Sequence, residues 1–187
     1  MGARPPLHYE EHVIMDERVM DREAELDANF VELEKQFVRR KAYPQFDWVR
    51  FDHPTPVNPL RKPLSDCRVA LVTTAGVHTK DDPPFNLKSP IGDPSYRQIP
   101  GDARLEELRL SHVGYDTKRV SEDKNSVFPL DRLRELAAEG VIGAAAPRHF
   151  SFMGYVAETE PLIRQTAPEV AEKLKADGVD LVVLSPA

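Results

Sequence analysis

Three histidines, His78, His112 and His149, each stand at a turn or beside an apolar run that reads as a strand. In SHVGYD, His112 lies close to Tyr115 and Asp116, and in PRHFSFMG, Arg148 and His149 lie close to Ser151. If the apolar runs are parallel strands of one sheet, these groups converge at one sheet edge. Histidine there would transfer protons, Arg97 or Arg148 would grip a carboxylate with a fork of donors, and Tyr115 would orient the substrate. The candidate substrate pocket is therefore His78, Arg97, His112, Tyr115, Asp116, Arg148 and His149. The same residues admit two other readings. His with Asp suits zinc or iron, but no spacing here is a recognised ligand motif, and no metal is expected. They can also simply brace a long loop by hydrogen bonds.

Other motif chemistry is thin. VALVTTAGVH has the look of a nucleotide-binding turn, but GxGxxG is absent, and neither GxxxxGK[ST] nor GxSxG occurs. The serines of SFMG and LSP each follow an apolar run and are read as turn residues. Cys67 is the one cysteine, so an intramolecular disulfide, a CxxC pair or a cysteine-based metal site cannot be built. Its place at the start of a strand marks it as a structural thiol.

Composition narrows the class. The chain has 187 residues and a formal net charge of −6. That length suffices for one cored domain, or a domain with an arm. Lys and Arg are scattered among Asp and Glu without a basic cluster, so nucleic acid is not an expected partner. No apolar run approaches the roughly 18 residues of a membrane span, and the amino terminus turns acidic where a signal peptide would be apolar. A cytoplasmic location away from the membrane is expected.

The elements that must position these residues follow from periodicity. Between His8 and Arg40 there is neither Gly nor Pro, and Leu26, Phe30, Leu33 and Phe37 share one helical face. This predicts a long amphipathic helix, an arm over residues 1–43 that packs on its own domain or docks a partner subunit. A Pro-rich connector from Tyr43 to Pro63 follows, extended because proline fixes φ and lacks a donor, with Trp48 and Phe51 as anchors. The domain proper is residues 44–187. Its strands are expected at 68–74, 142–146 and 179–185, with helices at 130–139 and 167–177. Pro129 and Gly140 bracket the first helix; Thr166 as N-cap and Gly178 as C-cap bracket the second. Helix followed by apolar strand argues a right-handed crossover. The fold class is α/β: a mostly parallel sheet with flanking helices and a long loop-rich insertion over 76–127. That insertion, with a short strand near Arg109–His112, is expected to pack across the carboxyl ends of the strands.

Several stretches occur together and in order: VALVTTAGVHTKDDPPFN, GDPSYRQIPGD, LRLSHVGYDT, NSVFPLDRLRELAAEGVIG, APRHFSFMGY and TAPEVAEKLKADGVDLVVLSP. Over roughly residues 44–187 the chain resembles the selenoprotein B family of glycine, sarcosine, betaine and D-proline reductases. The resemblance implies reductive cleavage of a C–N bond in a small amino acid or betaine. A selenolate, or a thiolate in cysteine versions, attacks carbon and displaces the amine, the anion being the reactive form. In the family that residue opens a redox motif directly after the strand matching VDLVVLSPA. Here the expected selenocysteine or cysteine would follow Ala187 and is absent.

Selenocysteine is encoded by UGA, ordinarily a stop, so a conventionally read frame would end here. Termination at that codon is the expectation; a deliberately shortened chain or a naturally short paralogue are the alternatives. The resemblance also implies an oligomer with other reductase subunits, selenoprotein A-like or bearing a pyruvoyl group. No cofactor belongs to this chain, and no residue in it marks a pyruvoyl-forming site. Two other functions stay open: a non-catalytic substrate-binding or assembly subunit, and a thiol-dependent enzyme acting on a C–S bond.

Overall fold

The computed structural model describes residues 58–187. The helical arm expected over residues 1–43, its boundary with the domain and the expected anchors Trp48 and Phe51 lie outside the described residues. In chain order the elements are β1 (Arg68–Thr73), β2 (Val77–His78), β3 (Tyr96–Pro100), β4 (Arg109–Leu110), α1 (Thr117–Val120), α2 (Leu130–Ala138), β5 (Ala144–Ala145), β6 (Arg148–Phe152), α3 (Ala167–Ala176) and β7 (Leu181–Ser185).

The sequence RVALVT is apolar on both faces, the pattern of a strand covered on both sides, and β1 occupies the centre of the sheet. Along one edge it pairs in parallel with β7 from Val69 to Thr73. Its other edge is shared: β5 takes Arg68 and Val69, and β6 takes Val72 and Thr73, both in parallel. β3 then adds antiparallel to β6. The sheet is thus mostly parallel, as expected, with one antiparallel edge strand that the sequence reading left inside the loop-rich insertion.

Alternation along β1 sends its side chains into two cores. Val69 and Leu71 pack with Phe128, Leu130 and Leu133 on the side of α2. Ala70 packs with Phe150, Val170 and Leu174 on the side of α3. The connection from β1 to β5 runs through α2 on one face; the connection from β6 to β7 runs through α3 on the other. These two crossovers travel in opposite directions along the sheet, so one right-handed rule puts their helices on opposite faces.

Several boundaries differ from expectation for local reasons. The 142–146 run forms only the two-residue β5, and a separate strand, β6, begins after Pro147. Proline cannot donate to a ladder and interrupts the run. Ser151 and Ser185 are not turn residues: each lies within a strand, Ser151 fully buried in β6 and Ser185 at the end of β7. Thr166 is not an N-cap. It has helical angles, because helix already begins at residue 160 and passes through a π-turn over Leu162–Thr166. Its hydroxyl donates to Pro94 O at 2.8 Å. Gly140 and Gly178 do end their helices, with φ of +73° and +67°.

The 76–127 insertion carries more regular structure than its composition suggested. β2 and β4 form a small antiparallel ribbon. Gly76 holds that ribbon to the sheet: its N–H donates to Phe152 O at 2.8 Å, and its carbonyl accepts from Ser111 N–H at 2.9 Å. Its φ is +66°, and a Cβ there would lie 2.0 Å from Ser111 O, so glycine is required.

Phe150 is fully buried in the α3-side core. Phe150→Ala is expected to lower the unfolding free energy by about 3–5 kcal/mol, read as a lower urea midpoint with an unchanged m value. Leu136→Ala, on the exposed side of α2, is expected to change it by less than about 0.5 kcal/mol.

Candidate functional site

β1 and β7 lie side by side, and the helices associated with their connections cover opposite faces of the sheet. In open α/β sheets such a reversal opens a crevice beyond the carboxyl ends of the two strands. Here Thr74, Gly154 and Ala187 meet beyond those strand ends. Thr74 N–H donates to Ser185 O at 3.2 Å, extending the pairing one residue past β1. The Thr74 hydroxyl then accepts from Ala187 N–H at 3.0 Å and reaches Ala187 O at 3.5 Å. A single side chain from the end of β1 therefore fixes the backbone that leaves β7.

His112 comes to the same place from the ribbon. A Cβ built on Gly154 would lie 2.6 Å from His112 Nε2, 3.0 Å from Ala187 O and 3.2 Å from Thr74 O. His112 Nδ1 accepts from Gly114 N–H at 2.9 Å. The neutral ring therefore carries its proton on Nε2, the nitrogen that faces Gly154. That Nε2 is buried and has no partner among the described residues. Burial lowers the His112 pKa, which keeps the ring uncharged at neutral pH. Tyr115 stacks on the imidazole at a centroid distance of 4.4 Å, and its hydroxyl donates to Ala75 O at 2.6 Å. Burial pushes the phenol up to about 12, so it stays protonated. The arrangement supplies one oriented, uncharged N–H donor beside a backbone held by hydrogen bonds.

The other candidates have different surroundings. His78 is buried with both ring nitrogens engaged: Nδ1 pairs with Thr79 O at 2.8 Å and Nε2 with Ser111 Oγ at 2.9 Å. Asp116 caps α1, accepting from Lys118 and Arg119 N–H. Arg97 lies over the Phe85 ring at 4.3 Å and donates to Pro83 O, Ser95 Oγ and Tyr96 O, tying the 79–95 loop to β3. Arg148 forms a two-pronged pair with Asp177 at 2.5 and 2.9 Å. It stands at the amino end of β6, and β6 runs parallel to β1, so it occupies the opposite end of the sheet from Ala187.

His149 is fully buried within β6. Its Nδ1 accepts the Leu71 N–H of β1 at 2.9 Å, and its ring meets Phe128 edge-on at 6.0 Å. Of the seven candidates, His112 and Tyr115 are brought together at the end of β1, while Arg97, Arg148 and His149 are engaged elsewhere. A surface cleft of about 330 Å3 lined by Thr79, Asp102 and Arg104 contains none of them. Among the described residues no three His, Cys, Asp or Glu side chains are grouped to hold a metal ion. No described helix is long and apolar enough to cross a membrane. Cys67 is fully buried just before β1, its thiol donating to Pro63 O at 3.3 Å.

Residues 13–187 match the family model for glycine/sarcosine/betaine reductase selenoprotein B. The chain belongs to that family. The match begins at residue 13, well ahead of the motifs that carry the resemblance in the sequence. D-proline reductase subunit gamma of Acetoanaerobium sticklandii is 48% identical over 133 residues, covering 71% of this chain and 54% of that subunit. Sarcosine reductase complex component B subunit beta of Peptoclostridium acidaminophilum is 31% identical over 187 residues, 99% of this chain and 40% of that one. Glycine reductase complex component B subunit gamma of Carboxydothermus hydrogenoformans is 31% identical over 153 residues, 81% of this chain and 34% of that one. The chain thus spans about half the length of the first relative and about two-fifths or a third of the others. No solved structure matches it.

Within this selenoprotein B-family chain, sequence reasoning missed Thr74 and Gly154. The usable signal was positional: each stands directly beyond an apolar run, Thr74 in VTTAG and Gly154 in SFMGY.

The buried His149 predicts a pH dependence. Burial, aided by the charge of Arg134, lowers its pKa from 6.5 to about 4. The fold favours the neutral ring, so the unfolded chain binds the proton first. The contribution, of order 3 kcal/mol, is complete above pH 6.5 and is lost as pH falls toward about 4. His149→Asn keeps an acceptor for Leu71 N–H without titrating. Urea unfolding between pH 7.5 and 4.5 is expected to show a flatter pH dependence for the variant than for the parent.

Proposed function

We propose that this chain is the nucleophile-presenting part of a reductase subunit, with D-proline as the favoured substrate among glycine, sarcosine, betaine and D-proline. The observation that carries the reading is the pinning of Ala187 by Thr74 beside the Nε2–H of His112. The choice of D-proline rests on 48% identity to a D-proline reductase subunit, against 31% for the glycine and sarcosine relatives above. Those relatives are named as subunits or complex components, which supports partner subunits for this chain as well.

On this reading, a selenolate or thiolate on the residue after Ala187 attacks the α-carbon, forming a C–Se or C–S bond as the C–N bond breaks and the ring nitrogen leaves as an amine. An external dithiol such as dithiothreitol then attacks the selenium or sulfur, the carbon takes a proton, and the dithiol ends as a disulfide, regenerating the nucleophile. This chain's own residues prepare the place for it. Thr74 fixes the direction in which the backbone leaves β7. Gly154 keeps the space free of side chain. His112 offers a neutral Nε2–H, and a hydrogen bond to the anionic form of a nucleophile favours that form and lowers its pKa. Tyr115 keeps the imidazole in plane by stacking and by its bond to Ala75 O. The carbonyl chemistry of a pyruvoyl group would belong to a partner subunit.

Cys67 cannot replace the nucleophile. It precedes β1, and seven residues of strand at about 3.3 Å each put it roughly 20 Å from the carboxyl end. The 187-residue chain is therefore expected to give no turnover with dithiothreitol. A chain extended past Ala187, with selenocysteine or cysteine next and assembled with the partner subunits, is expected to reduce D-proline. Cys67→Ser should leave that activity intact. His112→Phe, which preserves the stack on Tyr115, is expected to lower kcat about 100-fold and to raise the thiol pKa read from the pH profile of iodoacetamide alkylation. An unchanged alkylation profile with unchanged kcat would remove His112 from the mechanism. Turnover that disappears in Cys67→Ser would overturn the whole assignment.

A further inference from the structure

β7 is paired on one edge only. All five of its residues register with β1, and among the described residues nothing pairs with its outer edge. The strand LVVLS carries no charge and no proline, the devices that usually guard an edge against further pairing. Both faces lose their cover toward its carboxyl half. Val183, on the α2 side, is 40% exposed, and Leu184, on the α3 side, is 72% exposed, the largest value among the exposed large apolar side chains described. Leu181 and Val182 earlier in the same strand are packed against the two cores. Parallel strands are normally covered on both faces.

Handedness says what form the missing cover takes. The crossover from β6 to β7 moves outward along the sheet over the α3 face. Another right-handed step in the same direction must use that face again. Its helix would lie over Leu184, the side chain left most open, and would deliver a parallel strand to the outer edge of β7. The relatives carry polypeptide outside the matched segment: the sarcosine reductase subunit matches 99% of this chain with only 40% of its own length.

From these observations we infer that β7 is an interior strand of the assembled sheet. Its outer edge takes a parallel strand, with a crossover helix over Leu184, from the polypeptide that follows the matched segment in the longer family members. The inference rests on family membership and the sheet, and is independent of the nucleophile assigned above.

The test is co-expression of the tagged 187-residue chain with the region of Acetoanaerobium sticklandii D-proline reductase subunit gamma carboxyl-terminal to its matched segment. The expected result is a one-to-one complex by size-exclusion chromatography with light scattering, with at least tenfold slower amide exchange over Leu181–Ser185 than in the chain alone. Leu184→Lys should abolish the complex while its circular dichroism and thermal midpoint match the parent. Leu136→Lys, on the opposite face, should leave the complex intact. Failure of the two polypeptides to associate would overturn the inference. So would full protection of β7 in the chain alone, whether as a monomer, with residues 1–57 covering the edge, or as a dimer, with a second copy doing so. Because exchange and association need no catalysis, either outcome leaves the reductase assignment to its own experiment.

Discussion

One amide of the central strand organises much of this domain. Leu71 N–H lies in the middle of β1, buried, and is taken by the imidazole of His149. The break at Pro147 divides the neighbouring strand into β5 and β6, and across the break a side chain stands in for a carbonyl. Leaving a buried amide unpaired would cost on the order of 1–3 kcal/mol. The same ring packs against Phe128, so one residue closes the ladder and fills the α2-side core. With β1 satisfied on that edge, β7 can occupy the other over its full length.

Two hydroxyls extend this logic to the carboxyl end. Thr73 and Ser185, paired across β1 and β7, both donate to Val127 O, at 2.9 and 3.0 Å. Thr73 Oγ also accepts from Ala75 N–H at 3.1 Å, which turns the chain out of β1. The segment leading into α2 is thereby tied to both strands just where they stop. Thr74 and Ala187 lie one and two residues further on, so the crevice inherits its geometry from groups that are themselves pinned.

The parts of the fold legible in the sequence are those where pattern and burial agree. RVALVT and VDLVVLS are apolar runs with turn residues at their ends, and α2 and α3 have glycine stops with φ above zero. β3 was hidden because YRQIP reads as loop: it holds Arg and Gln, ends in proline and sits at the sheet edge, where such residues are tolerated. β6 was hidden because Arg148 and His149 open it: Arg148 is paired with Asp177, and His149 is buried with Nδ1 on a backbone amide and Nε2 without a partner among the described residues. The surroundings of the candidate site residues were equally hidden. His112 and His149 each accept a main-chain N–H on Nδ1 and bury Nε2, and they look alike as letters. His112 is distinguished by Gly154 and Ala187, which meet it from far away in the chain.

Thr74 and Ala187 are 113 residues apart, and every β1–β7 contact spans a similar distance. Closing so long a loop costs entropy that no local contact repays, and long-range parallel pairing is slow for that reason. The crevice therefore cannot form early from a local fragment, as a hairpin or a helical turn could. It exists only where β7 is docked beside β1. A chain in which β7 had not docked would have no place where Ala187 meets His112, so a reactive group carried there would acquire its environment only with that docking.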